Sequence, residues 1–387
     1  MLLCNLNIIG YESKKYIRIE NEKIKEIADD EKLSSESSST LRLYFDNAIA
    51  FPGLINSHDH LDFNLFPRLG NRVYKSYINW GADIQKQNRN IIEHILRVPK
   101  QLRVQWGIYK NLLNGITTVV NHGEYLNIQD PIIDVFQDCH SLHSVGREKN
   151  WKLKLTNPFA KHHPFVIHVG EGTDKESFDE INQLIRWNFL KRQLIGVHGV
   201  SMNPQQAIAF EALIWCPDSN FFLLGATAAI DKLKEQTRIL FGTDSTVSAN
   251  WSLWEQLRIA RKTKMLTDSE LLDALTTSPA FAWKLNNKGS LNESKTADIV
   301  VARQKKDDDL MDSFFQLNPE DVLLIIKTGQ IILFDQMLVP QLDQHLILND
   351  FCKIYINGIA KFVKGDLVGL INQITKFIPE AAFPLTI

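Results

Sequence analysis

The sequence predicts an α/β protein, and three patterns carry that prediction. Between about residues 48 and 287, short apolar strands alternate with helical segments, as in a parallel sheet that is covered by helices. Several of these strands end in a polar residue of a type that performs chemistry. Both flanks of the chain are dominated by short β-prone runs separated by turns. We therefore expect a (β/α)8-type barrel, which could be distorted, inserted between the two parts of one discontinuous β domain.

Composition indicates a soluble, cytoplasmic protein. The 387 residues are 44% hydrophobic and carry a formal net charge of -2, so neither nucleic acid nor an anionic membrane is an expected partner. No apolar run approaches the roughly 20 residues of a membrane span. Four scattered cysteines are interpreted as reduced thiols: Cys4, Cys139, Cys216 and Cys352. The oligomeric state stays open, a homo-oligomer included.

The first 47 residues predict small antiparallel strands. Short β-prone runs lie at residues 2–9, 16–19 and 23–27, with charged turns between them. A polar, Ser-rich segment at residues 29–39 predicts an exposed and mobile loop.

The opening strand of the barrel ends in a His-x-His motif. An apolar run from Ala48 to Ile55 leads into His58 and His60. Residues two apart in an extended chain project to the same side, so the two imidazoles face one point and form half of a metal site. The alternative is a chance pair in a chain with 11 histidines. Ligand-type residues at the ends of later strands favour the metal site.

The middle of the chain continues the alternation of strands and helices. Strands are predicted at 116–120, 165–169, 194–197, 212–215 and 238–241, and helices at 91–114, 175–191, 205–211, 253–263 and 269–275. The segment from 128 to 164 is crowded. It predicts a helix at 131–137, a strand at 141–145, and a strand or helix at 151–155.

Five residues with ligand-type side chains lie where predicted strands stop. They are His58, His60, His168, His198 and Asp244. One strand–helix unit fits between His168 and His198, and two compact units fit before Asp244. Three imidazoles and one carboxylate around an open position form a catalytic site for a metal such as zinc. A structural zinc would more often use thiolates, and only Cys216 among the cysteines lies at such a strand end.

Five motifs in this order resemble the amidohydrolase superfamily, most closely its mononuclear cytosine-deaminase-like and chlorohydrolase-like branch. They are Pro52-Gly53-Leu54-Ile55-Asn56-Ser57-His58-Asp59-His60, His168-Val169-Gly170-Glu171, Val197-His198, Cys216-Pro217-Asp218-Ser219-Asn220 and Gly242-Thr243-Asp244-Ser245. Gly289-Ser290-Leu291 and Thr296-Ala297-Asp298 resemble the return of that family to its β-sandwich. The resemblance implies a catalytic barrel at 48–287 and a sandwich built from 1–47 and 288–387.

The resemblance also implies a role for each site residue. It implies one divalent metal, zinc with iron as the alternative, bound by His58, His60, His168 and Asp244. Glu171 matches the proton-shuttling glutamate of the family, and His198 matches the histidine that orients the water or polarises the substrate. A bound metal lowers the pKa of water from 15.7 toward ~7, and Asp244 can accept the proton. A dinuclear site would need a carboxylated lysine, and its only candidates, Lys152 and Lys154, lie too close to His168 for a full unit.

The implied reaction is hydrolytic deamination of a nitrogen heterocycle. Hydrolysis of another C–N bond or of a C–halogen bond is the alternative, and a non-catalytic metal-binding scaffold is the alternative of a different class. Candidates for substrate binding are His122, Glu124, His143 and Arg68. His122 could equally be packed by a loop, and Arg68 could be a solvated loop charge. Ser219 and Asn220 are interpreted as local hydrogen-bonding residues of a turn.

Overall fold

The computed structural model describes residues 1–29, 40–306, 309–342 and 348–387. The Ser-rich loop predicted at 29–39 therefore lies, apart from residue 29, outside the described residues. Among the helices of the described ranges, none combines the length and apolar character needed to cross a membrane.

The N-terminal flank forms five strands of a ten-stranded sheet. They are β1 (Leu2–Ile8), β2 (Lys15–Glu20), β3 (Lys23–Ala28), β4 (Arg42–Tyr44) and β5 (Ala48–Pro52). Strands β1, β2 and β3 are antiparallel, and the two-residue turn between β2 and β3 holds Asn21 and Glu22 at positive φ, as tight hairpins require. Strand β1 pairs with both β4 and β5 in parallel, and β5 leads to the first of the parallel strands that follow.

Eight parallel strands follow, the number and order expected of a (β/α)8 barrel. They are β6 (Leu54–Asp59), β7 (Ile116–Asn121), β8 (Asp134–Phe136), β9 (His140–Ser144), β10 (Phe165–Val169), β11 (Leu194–His198), β12 (Ala212–Trp215) and β13 (Arg238–Phe241). Ladder hydrogen bonds join β6–β8 into one sheet and β9–β13 into another. Strand β13 also contacts β6, and the backbone N–H of Asp244 donates to the carbonyl of His58 at 3.0 Å.

Helices cover this part of the chain. They are α1 (Tyr77–Gln87), α2 (Arg89–Leu96), α3 (Lys100–Leu113), α4 (Trp151–Leu155), α5 (Lys175–Trp187), α6 (Pro204–Ala207), α7 (Pro217–Leu224), α8 (Ile230–Leu233), α9 (Leu253–Thr263), α10 (Asp268–Asp273) and α11 (Thr277–Ala282). The single helix predicted at 91–114 is wrong, because Pro99 separates α2 from α3. Proline lacks the N–H that a helix interior needs, and here its backbone is extended, with φ -49° and ψ 136°.

The crowded segment from 128 to 164 departs from the regular alternation. The helix predicted at 131–137 is wrong: residues 134–136 form β8, which pairs with β7. Residues 122–133 and 137–139 are all described, and they contain no helix. Strands β7, β8 and β9 therefore follow one another with irregular connections, which explains how three units fit before His168. The strand predicted at 141–145 is confirmed as β9, and 151–155 is the helix α4.

The C-terminal flank returns to the first sheet. Its elements are β14 (Ile299–Arg303), α12 (Leu310–Phe315), β15 (Val322–Lys327), β16 (Gln330–Asp335), α13 (Val339–Leu342), β17 (Phe351–Ile356), β18 (Ile359–Lys364) and α14 (Leu367–Thr375). Strand β14 pairs antiparallel with β5, so strands from both flanks lie in one sheet. The predicted α/β class with a separate β-rich unit is confirmed. The exact division at residues 47 and 287 stays a prediction.

Strands β5 and β6 are separated only by Gly53, so nearly continuous extended chain leads from the β-rich unit into the parallel strands. A side chain at Gly53 would overlap Thr117 of the neighbouring strand β7, so glycine permits the close approach. Beyond the junction, buried side chains fill the space inside the parallel strands, among them Ile55, Val166, Ile195 and Ile214. This apolar layer supports the polar residues at the strand ends.

Candidate metal centre

The five ligand-type residues predicted at strand ends meet at one point. His58 lies in β6 and His60 directly after it, His168 lies in β10, His198 ends β11, and Asp244 follows β13. The Nε2 atom of His168 lies 3.4 Å from Nε2 of His58 and 3.4 Å from Nε2 of His60. Oδ1 of Asp244 lies 3.9 Å and 4.0 Å from the same two Nε2 atoms.

These separations fit a metal ion. Metal–nitrogen bonds of about 2.0–2.1 Å in a tetrahedral site place ligand nitrogens roughly 3.3–3.4 Å apart. Two neighbouring sets of potential donors share His58: one adds His60 and His168, and the other adds His198 and Asp244. Burial first, and then the neighbouring histidines, lower the pKa of His58 and of His168 well below the ordinary value. Neutral imidazoles are the form that binds a cation.

Hydrogen bonds fix which side-chain atoms face the centre of the cluster. Nδ1 of His168 lies 2.6 Å from the carbonyl oxygen of His143, so Nδ1 carries the proton and the lone pair of Nε2 faces the cluster. Oδ2 of Asp244 accepts from the hydroxyls of Ser219 and Ser248 at 2.8 and 2.9 Å. Burial raises the pKa of Asp244, but His60, His198 and hydrogen bonds outweigh it, so the net pKa is lowered and the group stays a carboxylate.

His198 is held beside the cluster by Asn220. Nδ1 of His198 lies 2.8 Å from Oδ1 of Asn220 and donates to it, which turns Nε2 toward Glu171. The interpretation of Ser219 and Asn220 as residues of local hydrogen bonding is wrong. Both lie at the start of α7, and they hold Asp244 and His198, which come from other strand ends.

Glu171 lies between His198 and the open side of the cluster. Its side chain is buried, with 6% of the residue exposed, and its Oε2 lies 3.6 Å from Nε2 of His198. Burial, and then the charges of Asp244 and Glu180, raise the pKa of Glu171 well above the ordinary value, against an opposing effect of Arg147. A carboxyl group that keeps its proton near neutral pH can serve as a general acid.

A cavity of about 130 Å³ opens over the cluster. Cavities of roughly this size can take up a single aromatic ring. Its walls combine aromatic, apolar and basic side chains with the site residues. Apart from the site residues, they are Phe63, Tyr77, Trp80, Gly81, His143, Arg147, Leu223, Ser245, Val247 and Ser248.

Of the four predicted substrate contacts, only His143 lines this cavity. His122 is buried behind it, with its ring centroid 4.3 Å from that of His168. Glu124 is exposed and pairs with Lys100 at 2.9 Å. Arg68 forms an ion pair with Asp218 and packs over the ring of Phe222, 5.0 Å from its centroid. The expectation for Glu124 and Arg68 is therefore corrected, because ion pairs hold both away from the cavity.

Lys152 and Lys154, the lysines considered for a dinuclear site, lie on the exposed helix α4. Nζ of Lys152 packs over the ring of Trp187 at 4.5 Å from its centroid, and Nζ of Lys154 pairs with Glu148 at 3.1 Å. Neither lysine reaches the cluster.

Sequence reasoning missed several residues around the site. Tyr77, Trp80 and Arg147 reach the cavity from a helix and a loop, and no spacing in the sequence marks them. A second omission is the buried pair of Asp59 and Lys110, whose charged atoms lie 3.0 Å apart. Here a signal existed, because an aspartate between two inward-facing histidines of a strand must point to the other face.

Fold and site together define a class of protein. A carboxylate and a cluster of imidazoles at the carboxyl ends of parallel strands, next to a buried glutamate, are typical of metal-dependent hydrolases. Comparison with known proteins agrees. Residues 159–332 match the amidohydrolase family. This match supports the resemblance seen in the motifs.

The chain is also similar over most of its length to individual proteins. It is 24% identical to a 5-methylthioadenosine/S-adenosylhomocysteine deaminase of Caldicellulosiruptor saccharolyticus, over 87% of this chain and 92% of that protein. Its fold resembles an adenosine deaminase of Xanthomonas campestris with bound zinc, with a TM-score of 0.74, 16% identity and 98% of both chains covered. It also resembles a mutant atrazine chlorohydrolase of Arthrobacter aurescens in complex with zinc and atraton, with a TM-score of 0.63, 18% identity, and coverage of 98% and 100%.

Proposed function

We propose that this protein is a zinc-dependent aminohydrolase that removes an amino group from a nitrogen heterocycle. The observation that carries the proposal is Glu171, a buried carboxyl group at the wall of the cavity whose Oε2 lies 3.6 Å from Nε2 of His198 and whose pKa is raised well above the ordinary value by burial. The similar proteins support the choice of reaction, since the relative and the structure from Xanthomonas campestris are both deaminases.

The donor set suits one divalent ion per chain. His58, His60 and His168 would supply imidazole nitrogens, and Asp244 would supply a carboxylate oxygen, a combination that favours zinc, with iron as the alternative. When bound, the ion supplies the Lewis acidity that makes water a nucleophile near neutral pH.

The chain's own residues then move the protons. In hydrolytic deamination, water adds to the ring carbon that bears the amino group, the C–N bond breaks, ammonia leaves and an oxo group remains. Asp244 is ionised and accepts the proton of the attacking water. Glu171 donates its proton to the adjacent ring nitrogen and regains one from the hydroxyl group of the adduct as the oxo group forms, while Asp244 passes the proton that it accepted to the departing amine. His198 presents Nε2 to the substrate because Asn220 holds its Nδ1.

The cavity suits a flat heterocycle. Phe63, Tyr77 and Trp80 contribute aromatic faces and edges, against which a planar ring packs with little loss of conformational entropy. The site residues lie on one side of this space. The reactive carbon of the heterocycle would therefore face His168 and Asp244, while its remaining substituents would extend toward Trp80 and Arg147.

Hydrolysis of a C–halogen bond is the second candidate. The likeness to the atrazine chlorohydrolase, over 98% of this chain, favours it, and the same water activation would serve it. The raised pKa of Glu171 favours deamination, because the amino group needs an added proton to leave as ammonia, whereas chloride leaves as an anion. The same carboxyl group argues against a non-catalytic scaffold, which has no use for an acid beside the cluster.

Two measurements on the purified protein test the proposal. Metal analysis after purification without added metal should find close to one zinc or iron per chain. A panel of aminated purines, pyrimidines and triazines should release ammonia, and chlorinated counterparts should release less chloride. Chloride release without ammonia release would favour the second candidate, and neither product from the metal-loaded protein would refute both.

Variants at the proposed ligands test whether metal content and activity depend on the same residues. The double substitution His58→Ala and His60→Ala should remove both the metal and the activity. The matched control is His94→Ala, which removes a surface histidine that pairs with Glu380. Metal content that persists in the double variant would contradict the ligand assignment.

A further inference from the structure

A buried ion pair lies directly behind the metal-binding cluster. Asp59 stands between His58 and His60, and because side chains alternate along a strand it points away from the imidazoles. There it meets Lys110, a residue of α3. Asp59 is 0% exposed and Lys110 is 1% exposed, so both charges are removed from water.

Every polar atom of this pair is engaged. Oδ2 of Asp59 accepts from Lys110 at 3.0 Å and from Nδ2 of Asn111 at 2.7 Å, and Oδ1 accepts from Nδ2 of Asn64 at 2.8 Å. The other two donors of Lys110 reach Oγ1 of Thr243 at 3.2 Å and the backbone carbonyl of Asp244 at 3.3 Å. An ammonium group has three donors, and here each has an acceptor.

Lys110 thus joins two parts of the proposed ligand set. One contact reaches the strand that carries His58 and His60, and two contacts reach the turn that carries Asp244. These two segments belong to β6 and to the end of β13, which are not joined by ladder hydrogen bonds. Asn56 adds to the connection, because its Oδ1 accepts from the N–H of Thr243 at 3.0 Å.

The geometry points to a positioning function: we propose that the Asp59–Lys110 pair sets the separation between His58, His60 and Asp244, and thereby the affinity for the metal. The pair touches neither cavity nor substrate. It acts through the backbone on both sides of the site, and the inference rests on the ligand assignment of the proposed function.

Stability alone is a poor explanation for this pair. Two charges lose their hydration when they are buried, and an apolar pair of similar volume is often as stable or more so. An apolar pair, however, cannot donate to the carbonyl of Asp244. Replacing both charges therefore separates the two roles: packing survives, while the contacts that Lys110 adds to the hydrogen bonds of Asp244 with His58 and of Thr243 with Asn56 are lost.

The test compares two double variants. Asp59→Leu with Lys110→Met removes the pair. Asp335→Leu with Lys361→Met removes an equally buried pair in the β-rich unit, where Nζ of Lys361 lies 2.6 Å from Oδ2 of Asp335. Zinc affinity of the metal-free proteins is measured by competition with a chelator, and kcat and KM are measured after zinc loading.

We expect the first variant to fold and to lose roughly 10–100-fold in zinc affinity, the range known for groups that hold metal ligands in place. Its kcat should fall while KM changes little. The control should match the wild type in all three quantities. A folded first variant with unchanged zinc affinity would overturn the inference.

Two further variants keep the test decisive. If the first variant does not fold, Thr243→Val replaces one acceptor of Lys110 by a side chain of the same shape, and zinc affinity should still fall several-fold. Unchanged affinity in folded Thr243→Val would equally overturn the inference. His58→Ala distinguishes the two failures: if it also leaves zinc affinity unchanged, the ligand assignment itself is wrong.

Discussion

At the scale of single residues, two site residues adopt a backbone conformation that L-amino acids seldom take. His198 has φ 71° and Asp244 has φ 53°, both in the left-handed region. Such positions cost about 1–3 kcal/mol each and persist where the surroundings enforce them. Here the surroundings are Asn220 for His198, and Ser219 and Ser248 for Asp244. The strain turns both side chains inward at the ends of their strands.

Replacing Glu171 by glutamine should remove the proton shuttle and leave the site intact. Glutamine keeps the shape and the capacity for hydrogen bonding, but it cannot transfer a proton. Turnover should fall by roughly 10²–10⁴-fold, while zinc content and melting temperature stay near those of the wild type. Glu124→Gln, at an exposed carboxylate, is the control. Loss of zinc in the Glu171 variant would show that this residue is a ligand instead.

Glu180 should make the protein less stable as pH rises. Its Oε1 accepts from the N–H of Gly170 at 2.8 Å, and burial, only partly offset by this bond, raises its pKa to about 7 from 4.5. Below pH 4.5 folded and unfolded chains both keep the proton. Between 4.5 and 7 the unfolded chain releases it while the folded chain holds it, so folding stability falls across this window.

The measurement is the difference in melting temperature between Glu180→Gln and the wild type as a function of pH. Glutamine still accepts from Gly170 but has no proton to lose. The melting temperature of the variant should match that of the wild type near pH 4. It should then exceed the wild-type value by a difference that grows until about pH 7. A pKa shift of this size corresponds to roughly 2–3 kcal/mol of unfolding free energy. Glu176→Gln, exposed on the same helix, should show no such growth. A difference that is constant with pH would contradict the assignment.

The residues of the site divide into those visible in the sequence and those that are not. His58, His168, His198 and Asp244 each end or follow a recognisable strand, so strand period and fold class together predict that they meet. Trp80 and Arg147 reach the cavity from segments whose orientation depends on tertiary packing. The sequence predicts the helix that carries Lys110, but not that this lysine is buried. A buried lysine needs a charged partner, and that partner, Asp59, comes from another element.

At the scale of elements, helix α3 lies unusually close to the loop after β6. A side chain at Gly107 would overlap the carbonyl oxygen of Leu61. The same helix carries Lys110 one turn later, so the close approach brings the ammonium group to Asp59. Trp106 adds a contact, since its Nε1 donates to the carbonyl of Asn64 at 2.8 Å.

Gly107→Ala should therefore displace α3 and weaken both folding and metal binding. Overpacked cores lose roughly 1–3 kcal/mol, and a backbone atom cannot move aside as a side chain does. Alanine has a higher helix propensity than glycine, so the same substitution would stabilise an isolated helix. Gln105→Ala, exposed on the same helix, is the control, and thermal unfolding with zinc titration is the measurement. An unchanged or raised melting temperature would mean that the contact is not a constraint.

The elements that sequence reasoning misread have identifiable causes. Periodicity alone joined α2 to α3, although Pro99 breaks the helix. The apolar residues of 131–137 fit both the helical period of about 3.6 residues and the strand period of about 2 residues. Pairing with β7 makes residues 134–136 the short strand β8. Short, continuous apolar runs predict β10 and β12 with their exact bounds, because both faces of these strands are buried.

At the scale of the whole molecule, an aromatic cluster joins the β-rich unit to a helix that covers the parallel strands. The ring of Phe51 in β5 contacts Trp254 of α9 and Phe314 of α12, with centroids 6.1 and 5.0 Å apart. Trp254 and Phe314 also contact each other at 5.3 Å. We propose that the two units, although predicted as separate domains, unfold together.

Unfolding followed by tryptophan fluorescence and by far-UV circular dichroism should give coincident transitions. Phe51→Ala should lower the midpoint temperatures of both transitions by the same amount. Removing a buried phenylalanine costs about 3–5 kcal/mol, and the resulting cavity would lie between the units. Exposed Phe159→Ala is the control. Two separate transitions, only one of which moves in the variant, would contradict the proposal.

The direct connection from β5 through Gly53 to β6 has a consequence for biosynthesis. The ribosome releases the strand that ends in His58 and His60 early, yet β14, the neighbour of β5, emerges only when most of the chain has been made. The hydrogen bond between Asn7 and Gln304, for example, spans 297 residues. Contacts this distant in sequence form slowly and leave the earlier segments exposed meanwhile. The nascent chain therefore carries His58 and His60 long before Asp244 has been made, so the residues of the proposed ligand set can meet only after synthesis has passed residue 244.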